Sequence, residues 1–331
     1  MKNWFYLLSA VMLCLGLGLG QIAQATEATA EVTNVQAAKG MDGEVILSAL
    51  QKSVQKQNFV LYLTKGIAGQ LEPMQFSHGL VDGHEYTRWL YLDNAPSGYY
   101  TKDDWIVYFS NGTEKMSVGK GRLPGALPRL LAVEAKRIIN SYQPVILGDI
   151  RAAGRSALGL KLMPRWNDRY SYVLAIDKKT FLPLSVQVFN PAHGRVESYS
   201  GVYLWTGDEP STDIKLLAQN ARDNQEVTNN MTSYVSFGWK ISYIPEGFKR
   251  VFSASYALGN YGSEVEHVLY SDGLADFSVY KLKTLESMEF PIVKQGGTNL
   301  YRHRLSDYEI IVVGDLPFDT EKKIAESYVK Q

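Results

Sequence analysis

The chain has 331 residues, 45% of them hydrophobic and 21% charged, which is ample for a packed core and suggests about two domains. Lys plus Arg and Asp plus Glu stand at 34 each, so no net field draws the protein to nucleic acid or to an anionic surface. Any acidic partner has to be met by a local patch.

At the N-terminus Lys2 precedes an apolar run from Trp4 to Leu19, and Ala23-Gln24-Ala25 supplies small residues at cleavage spacing. This pattern predicts a secretory signal peptide over 1–25. The single cysteine, Cys14, lies inside it, so the processed chain carries no thiol and no disulfide. Residues 26–41 are rich in Ala, Thr and Glu without periodicity and read as a flexible lead-in.

From Asp42 the period becomes helical, with Ile46, Leu50 and Val54 on one face. From Asn58 it changes to two. FVLYLTK, MQFSHGL, EYTRWLYL, WIVYFS and EKMSVG read as successive strands, turning at Asp82-Gly83 and Asn111-Gly112. Leu123-Pro124-Gly125 breaks the pattern. A second helix follows, with Pro128 at its first position and Leu131, Ala135, Ile138 and Tyr142 on one face, ending near Pro144. Strand character returns at Val145 and continues through a hairpin in RYSYVLAIDKKTFLPLSVQVFN, Arg169 to Asn190, to Val196–Trp205. Two helices against a long twisted meander make an α+β domain over 42–206, a half-open antiparallel β-barrel with plugging helices.

Residues 207–232 shift to Asp, Glu, Asn, Thr and Gln and read as a linker with room for a short helix. A smaller α+β domain then spans 233–331. Its strands are WKISYI, RVFSASYAL, VEHVLYS, DFSVYKLK and YEIIVVGD, before a closing helix capped by Asp319 or Thr320 with Ile324, Tyr328 and Val329 facing inward.

Enzyme signatures fail on inspection. The sequence has no GxSxG elbow and no P-loop; His84-Glu85 opens an HExxH in which Arg88 replaces the second histidine. The five histidines have no ligand spacing, so the residues point to no metal, no cofactor and no catalytic group. Aromatic surface is what remains. Trp89, Tyr91, Trp105, Tyr108 and Phe109 cluster on the early strands, with Leu131 on the helix that faces them. In a half-open barrel such a group lines an apolar groove for an acyl chain or apolar peptide, while core packing is the alternative for any one ring. Arg165 and Arg169, with Arg88, Arg151 and Arg155, are candidates for a cationic rim that would receive lipid phosphates.

The Arg169–Asn190 stretch, LYSDGLADFSVY (Leu269 to Tyr280) and IIVVGDLPFDTEKKIAESY (Ile310 to Tyr328) together resemble the RseB/MucB family, periplasmic regulators of the envelope-stress sigma factor. The resemblance implies the same half-open barrel, a LolA-like fold. It also implies binding to the periplasmic domain of the membrane anti-sigma factor (the RseA/MucA type), protection of that partner from proteolysis, and release by lipopolysaccharide or another acylated lipid. The partner is expected on the second domain near Leu269, Tyr270, Ser271, Asp272 and Gly273, added as a strand to an exposed edge. A LolA-type carrier of acyl chains or lipoproteins is the alternative function, and a homodimer is left open.

Overall fold

The computed structural model describes residues 42–103, 105–111, 113–119, 123–221, 234–258, 263–284 and 294–331. The expected leader, the lead-in and residues 222–232 of the expected linker lie outside them.

Helix α1 (Gly43–Lys56) starts where Asp42 accepts the Glu44 N–H and ends with Lys56 in its last turn. Ile46, Leu50 and Val54 are buried as their spacing predicts, joined by Leu47. The chain then forms a meander of β1 (Asn58–Ile67), β2 (Gln70–Val81), β3 (His84–Tyr91), β4 (Ser97–Lys102), β5 (Trp105–Ser110) and β6 (Thr113–Gly119). At the β2–β3 turn Asp82 and Gly83 both take positive φ, 51° and 82°, the geometry a two-residue hairpin needs. Strand β4 escapes the sequence pattern because Tyr99 and Tyr100 are buried on opposite faces, so polarity does not alternate there.

The expected second helix is two helices, α2 (Ala126–Ala132) and α3 (Ala135–Ser141), and Pro128 is the third residue of α2 rather than its first. Gln51 of α1 accounts for the break. Its amide donates to the Leu130 and Val133 carbonyls and its oxygen accepts the Ala135 N–H at 2.6 Å. One buried side chain thus satisfies the end of α2 and the start of α3.

A second meander follows: β7 (Tyr142–Ala152), β8 (Arg155–Pro164), β9 (Ser171–Asp177), β10 (Pro183–Phe189) and β11 (Arg195–Gly207). The β9–β10 hairpin is the one the sequence indicates. Its turn is locked by Asp177, which accepts from Thr180 N and Oγ1 and receives both Arg155 donors at 2.9 Å. Antiparallel pairing of β1 with β11 joins the meanders into one eleven-stranded sheet, ordered β6-β5-β4-β3-β2-β1-β11-β10-β9-β8-β7. Strands β6 and β7 end that order without meeting, so the barrel stays open. Helices α1, α2 and α3 pack into the concave side and share one core with it.

Within the expected linker, α4 (Thr212–Asn220) packs on the convex side of β2 and β3. Ile214 is fully buried there, and Asp213 accepts from Ser77 Oγ at 2.7 Å and Gln75 Nε2 at 2.8 Å.

The C-terminal unit is a six-stranded sheet ordered β13-β14-β15-β18-β17-β16, built from β13 (Lys249–Leu258), β14 (Ser263–Ser271), β15 (Asp276–Lys283), β16 (Lys294–Gln295), β17 (Thr298–Arg304) and β18 (Tyr308–Gly314). Strand β17 was not legible in the sequence. Helix α5 (Phe318–Glu326) covers β17 and β18 and begins from Pro317, ahead of the expected caps. Its C-terminal boundary also differs. Tyr328 and Val329 belong to β19 (Tyr328–Lys330), which pairs with β12 (Trp239–Ile241), and Val329 faces solvent.

Candidate functional site

The concave face carries an aromatic ladder with one ring per strand. Phe59, Phe76, Trp89, Tyr99 and Tyr108 stand on β1 to β5, and register sets Phe76 opposite Trp89, Trp89 opposite Tyr99 and Tyr99 opposite Tyr108. Phe76 stacks on Trp89 at 3.9 Å, Trp89 on Tyr99 at 6.1 Å, and Tyr99 tilts against Tyr108 at 5.6 Å. Cross-strand aromatic pairs each contribute about 0.5–1 kcal/mol beyond area burial.

The structure divides the expected groove. Trp89 and Leu131 are buried core residues, while Tyr91 and Tyr108 are half-buried at its margin. Trp105 and Phe109 are a correction: successive side chains alternate on a strand, so they point to the convex side, opposite Ile106 and Tyr108. Trp105 is 37% exposed and Phe109 lies under the Arg88 guanidinium at 5.9 Å. Period-two reasoning would have separated them, whereas composition alone pooled them.

The expected cationic rim is divided too. Arg165 is exposed and donates twice to the Ile139 carbonyl of α3, at 3.1 and 3.2 Å. Arg169 is 0% exposed and lies in the seam between the two units. It donates to Asp168 at 2.7 Å, to Asp272 at 2.7 Å and to the Glu246 carbonyl at 2.6 Å. Trp166 and Phe248 flank its guanidinium at 4.9 and 4.8 Å, completing a cage of carboxylates and aromatic rings. A lipid phosphate has no access to this arginine in this arrangement.

The Leu269–Gly273 segment is corrected by the same contact. Strand β14 lies between β13 and β15, so Leu269, Tyr270 and Ser271 have both backbone edges paired and cannot accept an added strand. Asp272 and Gly273 form the β14–β15 turn, which docks on the first unit. Asp272 accepts from Leu274 N and Ala275 N on one oxygen and from Arg169 on the other. Gly273, at φ 106°, fits beside Val133 and Arg137, where a Cβ would meet both strain and contact. Leu274 enters the core of the first unit.

Further ties cross the seam. Arg129 of α2 pairs with Asp315 and lies 3.6 Å from Asp276. Tyr170 donates to the Leu316 carbonyl at 2.9 Å and accepts from Asn299 at 2.8 Å. Thr320 donates to the Asp168 carbonyl, and Gly297 N–H to Glu197. Burial pulls the Arg129 guanidinium down, but Asp315 and Asp276 outweigh it and hold it charged. Burial pushes Asp272 up, against Ala275 N–H, Arg169 and Leu274 N–H. Both of its oxygens accept hydrogen bonds, one from two backbone N–H groups and the other from Arg169, which is the geometry of an ionised carboxylate. Sequence reasoning missed Arg129, Tyr170 and Asn299, each of which meets a partner more than a hundred residues away, and the buried Glu321.

Among the described residues no group of three His, Cys, Asp or Glu is placed to hold a metal. His78, for example, is buried against Phe59 and bonded at 2.7 Å to the Gln57 carbonyl.

Comparison with known proteins places this architecture. A family model described as the MucB/RseB N-terminal domain matches residues 42–228, and one described as the MucB/RseB C-terminal domain matches residues 233–329. The sigma-E factor regulatory protein RseB of Salmonella typhimurium is 26% identical over 284 residues, covering 85% of this chain and 89% of that protein. The sigma factor AlgU regulatory protein MucB of Pseudomonas aeruginosa is 27% identical over 203 residues, 59% of this chain and 62% of that one. The Pseudomonas aeruginosa MucA/MucB complex structure overlays with a TM-score of 0.69 at 22% identity, covering 87% of this chain and 99% of that one. With both halves matched by the family models, the chain belongs to the MucB/RseB family.

Proposed function

We propose that this protein is a negative regulator of an envelope-stress sigma factor that acts by binding the periplasmic part of a membrane-bound anti-sigma factor and shielding it from proteolysis. The observation that carries the reading is the match of both family models along nearly the whole described chain. Relatives named as sigma factor regulatory proteins support it, as does a relative solved as a MucA/MucB complex. Residues 1–25 direct export in this reading, and the periplasm is the site of action.

Lipopolysaccharide or a related acylated lipid releases the partner. The surface for the acyl chain is the concave face bearing Trp89, Tyr91, Tyr108 and Leu131, reached when the α2–α3 plug shifts, with exposed Arg165 beside α3. An anti-sigma peptide that adds as a strand has as its natural edge the part of β13 not already bridged at Ser253 by Tyr234 and Val235, β13 being the longer of the two end strands of the C-terminal sheet. Linkage then requires lipid and peptide to weaken each other's binding by one common factor.

Calorimetry of the chain from Thr26 onward with the periplasmic segment of the host's anti-sigma factor, with and without lipopolysaccharide, tests this. Binding that weakens as glycolipid is added supports the reading. Absence of peptide binding together with acyl-chain uptake would replace it with an acyl-chain carrier.

A further inference from the structure

The seam between the two units contains an acidic group with no hydrogen-bond partner at either oxygen among the described residues. Glu321, in the first turn of α5, is 0% exposed, and neither carboxyl oxygen has a hydrogen-bond partner among the described residues. Its neighbour Thr320 donates across the seam to the Asp168 carbonyl. The groups around it are acidic or neutral: Asp315 on the turn before α5 and Tyr170 on the β8–β9 connection, which also feels Glu197 of β11. The cations of the seam are already committed. Arg129 pairs with Asp315 and Asp276, and Arg169 with Asp168, Asp272 and the Glu246 carbonyl. On α5 itself, Lys322 is exposed and Lys323 lies over the Tyr243 ring at 3.9 Å.

We propose that the seam is a proton-controlled clasp, closed while Glu321 is neutral and loosened when Glu321 ionises. A neutral carboxyl can sit in this site at modest cost. A carboxylate there is a buried, uncompensated charge facing Asp315, and the nearest relief is to draw α5 and its turn away from Tyr170 and Asp168 toward water. The direction of titration agrees: burial first, and then the Asp315 charge, push the Glu321 carboxyl well above the usual range, and the lowering influence of the nearby Gly314 backbone, which makes no formed hydrogen bond to it, does not offset them. An acid whose folded value is raised binds more protons folded than unfolded. Its contribution is therefore complete at low pH and is lost as pH rises through the folded value. Acidic surroundings thus hold the two units as one body, and alkaline ones free them to move.

The test is hydrogen exchange, corrected for the chemical rate, at three seam amides: Leu274 and Ala275, held by Asp272, and Gly297, held by Glu197. The Leu174 amide in the core of the first unit serves as reference. In the unmodified protein, protection of the three amides should fall by about tenfold or more on raising pH from mildly acid to mildly alkaline while Leu174 stays constant. In Glu321→Gln, which keeps the size and removes the charge, protection should stay flat. The Glu321 carboxyl carbon resonance, followed in unmodified protein, should titrate at the same midpoint, and this arm needs no variant to fold. Flat protection in the unmodified protein, an equal fall in Glu321→Gln, or a Glu321 carboxyl that titrates in the ordinary glutamate range would each overturn the proposal.

Discussion

Arg169 provides the sharpest test of how the two units are joined. Its guanidinium makes three charge-assisted hydrogen bonds and lies between two rings, with Asp272 as the buried counter-charge. Arg169→Ala leaves the Asp272 carboxylate in a dry site with two backbone N–H donors, and removing one partner of such a pair costs about 3–5 kcal/mol. Asp272→Asn retains the shape but leaves the guanidinium with Asp168 as its remaining carboxylate, so a loss of about 2–3 kcal/mol is expected. In Arg169→Met with Asp272→Asn no charge is stranded at position 272, only the partly exposed Asp168 loses its partner, and the pair should recover about 2 kcal/mol relative to the sum of Arg169→Met and Asp272→Asn made singly. Urea unfolding measures this, with Trp166 reporting from the cage itself because its ring lies against the guanidinium. The single changes should also split unfolding into two transitions as the units uncouple. Single losses below about 1 kcal/mol, or additivity within about 0.5 kcal/mol, would refute the idea that this pair joins the units.

Other expectations follow from single contacts. Gln51→Ala strands the Ala135 N–H and the Leu130 and Val133 carbonyls and should cost about 2–4 kcal/mol by chemical denaturation, whereas an exposed Lys52→Ala should cost under about 0.5 kcal/mol. Trp89→Ala opens the centre of the aromatic ladder, with a loss of about 3–5 kcal/mol and collapse of the near-ultraviolet dichroism, while Trp105→Ala on the convex side should cost far less. For Asp177, burial raises the carboxyl, but Arg155 and Thr180 outweigh it and the net direction is down. Its contribution is therefore present above the unfolded value and is lost as pH falls through the folded one. Asp177→Asn should cost about 1–2 kcal/mol at neutral pH and flatten the acid limb of the stability profile, as read from melting temperature against pH.

The sheet was legible where one face met water. The β9–β10 hairpin, the Asp82-Gly83 turn and the α1 stripe follow from local chemistry, because period, turn residues and caps act within a few positions. Strands β4 and β17 were not legible, since Tyr99 and Tyr100 are buried on both faces and Leu300 alone anchors the far face of β17 among polar neighbours. The break between α2 and α3 was hidden for another reason. The group that satisfies it, Gln51, sits about eighty residues earlier and looks in sequence like a solvated glutamine.

The candidate site shows the same division. Aromatic rings on early strands identify a ladder, but their split between the concave face and the convex one follows strand parity, which composition does not carry. Asp272-Gly273 announces a turn and nothing more. By itself the sequence determined element type, the antiparallel meander, the two-unit division as a reading and the family, because these rest on short-range pattern. Only the tertiary structure decided that Arg169 and Asp272 are one buried pair, that Leu269–Ser271 is an interior strand, and that Glu321 is an unserved acid in the seam. The physical reason is that burial and charge pairing are properties of the assembled surfaces: Arg169 and Asp272 meet from 103 positions apart, and the strand order that encloses Leu269–Ser271 exists only once the sheet has formed.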